Sequence, residues 1–73
     1  MNIHALKAAI DTSPFRPFKL HIADGRNVDV PSADHISIDP KGRNALIWAD
    51  NGAFRMVNIM LVTEIERAPD DDR

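Results

Sequence analysis

Cysteine is absent from this chain of 73 residues, which removes disulfides, thiolate zinc sites and thiol nucleophiles together. A chain of this kind fits a reducing, cytoplasmic setting. Long apolar runs are missing as well. None approaches the roughly 20 residues of a membrane-spanning helix, so no membrane association is expected. Met1 to Ile10 include His4 and Lys7 and offer no small-residue cleavage site, so they do not read as a secretory leader. An excess of one charge sign is also lacking. Formal net charge is −2; setting aside Arg73 from the nine basic residues and Asp70, Asp71 and Asp72 from the eleven acidic ones leaves eight of each in residues 1–69. A neutral body does not carry the basic surplus of a generic nucleic-acid binder.

What is present is a single small domain over residues 1–69, with an acidic tail at 70–73 that holds no apolar residue. A chain this short buries only about 60% of its unfolded surface, and its stability is marginal unless something reinforces the fold. With disulfides excluded, assembly into a homo-oligomer is the expected reinforcement.

The first segment is helical. Asn2 is a good N-cap, and Ile3, Leu6 and Ile10 recur at helical spacing with alanines between them, which predicts a helix over 2–11. Thr12, Ser13 and Pro14 end it, because a proline ring disfavours helical geometry in the residue before it. Phe15 and Phe18, each preceded by proline, are expected to pin an extended connector to the core.

From Phe18 the period changes to two. Phe18, Leu20 and Ile22 point one way, and Lys19, His21 and Ala23 the other. Asp24-Gly25 reverses the chain into a strand carrying Val28 and Val30, and Pro31 closes it. A third strand is expected over His35 to Asp39 with Ile36 and Ile38 inward, followed by a turn at Pro40-Lys41-Gly42. Asn44 to Ala49 is the fourth, and neither of its faces is polar: Ala45, Ile47 and Ala49 alternate with Leu46 and Trp48. Such a strand is covered on both sides, by the core and by either the helix or a neighbouring subunit. Asp50-Asn51-Gly52 is a second hairpin signal, leading into Ala53 to Val57. Asn58-Ile59-Met60 reads as an interruption. Residues 59–65 fit a strand or a helix, because the alternation from Leu61 to Ile65 coexists with a three-residue spacing of Ile59, Val62 and Ile65.

The fold class implied is mainly β, α+β by element count: an N-terminal helix, then five or six short strands in a strongly bent antiparallel sheet or small barrel. Closure would remove exposed strand edges, with Ile3, Leu6 and Ile10 of the helix covering one open end.

This order of elements resembles the Sm-like fold, a family that includes bacterial RNA chaperones. Lys19-Leu20-His21-Ile22-Ala23-Asp24-Gly25-Arg26 resembles the first hairpin of that fold. Val57-Asn58-Ile59-Met60-Leu61-Val62-Thr63-Glu64-Ile65 resembles its final strand pair with the short turn between. The pattern is similar to SH3-like small barrels too. Arg16-Pro17-Phe18, Leu20 and Asp24-Gly25-Arg26 also resemble the arrangement in a set of small bacterial proteins, a likeness that implies no activity. The Sm resemblance implies a ring of subunits that binds RNA. Where the bacterial chaperones carry a lysine-histidine pair before the last strand, this chain has Asn58-Ile59-Met60, without a cation or a stacking ring.

Candidate chemistry is sparse. His4, His21 and His35 fall in three different elements without the close spacing of a preorganised ligand set, so no metal or cofactor is expected. Asp24, Asp29, Asp34 and Asp39 are explained by turns more readily than by paired catalytic carboxylates. Thr12, Ser13, Ser32 and Ser37 have no histidine and acid in a suggestive context, and no phosphate-cradling glycine motif occurs, so no enzyme is expected. Two readings follow. The first is a non-catalytic interaction module that self-associates, or docks a protein partner, through Leu46, Trp48, Phe54 and Met56. The alternative is an Sm-like RNA-binding ring with Arg16, Lys19, Lys41, Arg43 and Arg55 as contacts.

Overall fold

A computed structural model describes residues 1–69; the expected acidic tail over 70–73 lies outside the described residues. Helix α1 spans Ile3–Asp11, one residue shorter than the reading at its start because Asn2 is its cap: the Asn2 side chain accepts from the His4 amide. Leu6 and Ala9 are buried, while Ile3 and Ile10 pack at the margin of the same core. Phe18 is buried and Phe15 rests against it with ring centroids 5.8 Å apart, so the connector is pinned as the two Pro-Phe pairs imply.

Six antiparallel strands follow: β1 (Phe18–Ile22), β2 (Asn27–Val30), β3 (Ile36–Ile38), β4 (Asn44–Trp48), β5 (Phe54–Asn58) and β6 (Val62–Arg67). They form two three-stranded sheets, ordered β2-β1-β6 and β3-β4-β5. The chain is thus mostly β with one N-terminal helix, and among the described residues no ladder closes the two sheets into one barrel. Single hydrogen bonds continue each ladder at its end, from the Ala23 amide to the Leu61 carbonyl (2.8 Å) beyond β1–β6 and from the Ile59 amide to the Arg43 carbonyl (2.9 Å) beyond β4–β5. The core lies between the sheets and under α1: Leu20 and Val30 from one sheet, Ala45 and Ile47 from the other, and Leu6 from the helix are all at most 3% exposed.

Both glycine hairpins reverse the chain. Gly25 and Gly52 take φ of +93° and +90°, a region that a side chain makes unfavourable. Gly42, at φ +69°, has a second constraint, since a Cβ there would sit 3.2 Å from Ile3 Cγ1 on the helix. Gly42→Ala is therefore expected to lower stability by about 1–2 kcal/mol through the left-handed backbone alone, read as a drop in urea midpoint. The same substitution at Gly25, where a Cβ meets nothing within 4 Å, isolates the backbone part.

Two segments differ from the reading. The third strand starts at Ile36 and not at His35, because Ala33–His35 is a 3₁₀ turn capped by Ser32, whose hydroxyl accepts from the Asp34 amide. Residues 59–65 are neither wholly strand nor wholly helix. Ile59–Leu61 is one 3₁₀ turn, capped by the Asn58 side chain on the Met60 amide, and β6 begins at Val62. That single turn keeps Ile59 buried and puts Val62 back into the core.

Candidate functional site

The two sheets present unlike outer faces. On β2-β1-β6 the register places Asn27 opposite His21 opposite Glu64, and Asp29 opposite Lys19 opposite Glu66. That face is polar throughout. On β3-β4-β5 the outward positions are Ser37 opposite Leu46 opposite Met56, Asn44 opposite Asn58, and Trp48 opposite Phe54. Its centre is apolar.

Alternation explains how the second face arises. Ala45 and Ile47 alternate inward on β4, so Leu46 and Trp48 point out; Val57 is buried on β5, so Phe54 and Met56 point out. Trp48 packs on Phe54 across the strand pair, with ring centroids 5.2 Å apart and planes tilted by 58°, an arrangement worth ~0.5–1.5 kcal/mol beyond the area it buries. Even so, Phe54 remains 58% exposed, Met56 68% and Trp48 40%, and Leu46 is only half-buried. The four residues singled out from the sequence thus form one block of two cross-strand pairs. The second apolar face of β4 is open within the single chain. β5 is also an edge strand, without proline and with one charged side chain, Arg55, and natural edges are usually blunted more heavily.

The five cations of the alternative reading are spread over both sheets and their connectors. Arg16 donates to the Ala68 carbonyl (3.1 Å), and Lys19 stands 4.0 Å from Asp29 on the polar face. Lys41 and Arg43 share the β3–β4 turn. Arg55 is opposite Ile47 and so on the inward side of β5, where it lines a cleft of about 660 Å³ with Val28, Pro31, Ile47 and Asp50.

The β3–β4 turn is organised by one carboxylate. Asp39 accepts from the Lys41 and Arg43 amides on one oxygen and from the Asn44 amide and side chain on the other. The Arg43 amide above all, with those other donors, holds the Asp39 carboxyl below its ordinary 3.8. Glu66 is likewise held below 4.5, chiefly by its hydrogen bond to His21. A carboxyl whose folded pKa is depressed stabilises the fold above its unfolded value, and that contribution is lost as pH falls through the lower, folded one. The urea midpoint is therefore expected to be flat from pH 7 to about 5 and to fall on further acidification. Asp39→Asn should show a shallower acid drop, and an unchanged acid slope in that variant would remove Asp39 from the account.

The 3₁₀ turn and the second hairpin bring together a serine, a histidine and an acid that the sequence keeps apart. Ser32 Oγ lies 2.7 Å from His35 Nδ1, and His35 Nε2 lies 2.8 Å from Asp50 Oδ1. Ser32 does have a histidine and an acid beside it, contrary to the reading, because the β3-β4 pairing brings Asp50 back to the 3₁₀ turn. The serine hydroxyl is already the cap of that turn and Asp50 is 89% exposed at the hairpin. The set links the turn to the hairpin through side-chain contacts.

A scan against protein-family models, a search of curated proteins and a search of solved structures each gave no match for this chain. No helix among the described residues is long and apolar enough to cross a membrane.

Proposed function

We propose that this protein is a non-catalytic interaction module, a small bent-sheet or barrel-like domain of the Sm-like and SH3-like kind, that self-associates through the outer face of β4 and β5. The observation that carries the reading is the block of Leu46, Trp48, Phe54 and Met56, half-buried to exposed and paired in register across two strands. Its outward neighbours Ser37, Asn44 and Asn58 are uncharged. A face without charge meets its own copy about a two-fold axis with no like-charge repulsion, and an apolar centre inside a polar rim is the usual anatomy of such contacts. The contrast with the charged outer face of the other sheet supports a specific covered side over general greasiness. Without cysteine, an assembly of this kind suits a reducing compartment such as the cytoplasm.

The experiment is solution mass by sedimentation equilibrium across a wide concentration range. A dimer or higher assembly is expected. A monomer at every concentration would end the reading, and retention of single-stranded RNA with a steep salt dependence would replace it with the ring reading that rests on Arg16, Lys19, Lys41, Arg43 and Arg55.

A further inference from the structure

The polar sheet gathers a histidine and two carboxylates that are distant in sequence. β1 and β6 run antiparallel with His21 opposite Glu64 and Lys19 opposite Glu66. His21, Glu64 and Glu66 therefore stand on one face, and one ligand atom from each lies within 4.8 Å of the others. His21 Nε2 and Glu66 Oε1 are 2.7 Å apart. The ladder breaks just past His21, where Ile22 pairs with Val62 and leaves Thr63 as an extra residue. The Thr63 hydroxyl donates to the His21 carbonyl (3.3 Å), which ties the backbone on both sides of the break.

We propose that His21, Glu64 and Glu66 bind one divalent transition-metal ion of the zinc class, with water completing the coordination. An imidazole nitrogen with two carboxylate oxygens is a three-protein-ligand set of the kind that leaves a position open. The imidazole selects zinc-like ions over calcium and magnesium, which prefer oxygen alone. Two carboxylates and a neutral imidazole carry the charge that a divalent ion cancels. Lys19, the cation on the same face, has Asp29 on its other side at 4.0 Å, so an acid on the neighbouring strand is at hand when the ion takes Glu66. Bonds near 2.0–2.1 Å at tetrahedral angles put two ligand atoms about 3.3 Å apart. The His21–Glu66 contact opens by only a fraction of an ångström to admit the ion, within the range of side-chain rotation.

The test uses the untagged full chain, titrated with zinc chloride by calorimetry in a non-chelating buffer, with cobalt(II) absorption as a second readout. One ion per chain is expected. His21→Asn, and separately Glu64→Gln, should weaken binding about tenfold or more, while His4→Asn and His35→Asn leave it unchanged. Because a variant could fail to fold, the wild-type histidine rings are also followed by ¹H–¹⁵N spectroscopy, where zinc should shift His21 Nε2 selectively. Absence of saturable heat up to millimolar zinc, undiminished binding in His21→Asn, or a response confined to His4 or His35 would each overturn the proposal.

Discussion

Leu20→Ala is expected to lower the stability of the fold by about 2–5 kcal/mol, the range for a leucine deleted from a packed interior. Leu20 is fully buried at the middle of β1, the central strand of its sheet, and its cross-strand partners are Val28 and Ile65. Truncation there leaves a void that faces residues of both neighbouring strands, with little room for collapse because each is fixed by its own ladder. Domains hold about 0.05–0.15 kcal/mol per residue, so a chain of 73 residues has a reserve of roughly 4–11 kcal/mol. The substitution removes a large share of it. At about 4–8 °C per kcal/mol for a domain of this size, the thermal midpoint should fall by about 8 °C or more. Leu46→Ala, on the open face of β4, is the control and should move the midpoint of the isolated chain far less. A loss below about 1 kcal/mol at Leu20 would mean that β1 is not the centre of the interior.

The same strand shows how far the sequence carries a reader. Phe18, Leu20 and Ile22 alternate with Lys19 and His21, and that period of two is a local fact, as is the reversal at Asp24-Gly25. The partner on the other side of β1 is β6, more than forty residues downstream, and no local pattern announces it. Everything that depends on that long-range pairing went unread, including the approach of Glu64 and Glu66 to His21. The Ser32-His35-Asp50 set is hidden for a similar reason, since Asp50 reaches the 3₁₀ turn only after β3 and β4 have paired. The turn itself escaped because Ala33-Asp34-His35 has no periodicity and announces itself only through its cap, Ser32. The apolar block was legible because it needs nothing long-range. Asp50-Asn51-Gly52 is a tight reversal that sets Trp48 against Phe54 and Leu46 against Met56 by register alone.

Phe54→Glu is expected to dissociate the proposed assembly, raising its dissociation constant about a hundredfold or more. Phe54 is 58% exposed and lies on an edge strand, so the fold of one chain loses little beyond the ring contact with Trp48. The proposed assembly loses much more. An aromatic anchor at the centre of an interface contributes about 2–4 kcal/mol, and a two-fold contact suffers the change in both copies. Each new carboxylate is also forced to give up water or face its own image. Trp48 is the sole tryptophan and touches Phe54, so its emission reports on this face alone. In the wild type that emission should shift to the blue as concentration rises and water leaves the indole. In Phe54→Glu it should stay at the wavelength of the dilute protein while the circular dichroism spectrum is unchanged. A variant that keeps the wild-type mass and the concentration-dependent emission would show that the contact between copies lies elsewhere, and the exposed β4-β5 face would need another occupant.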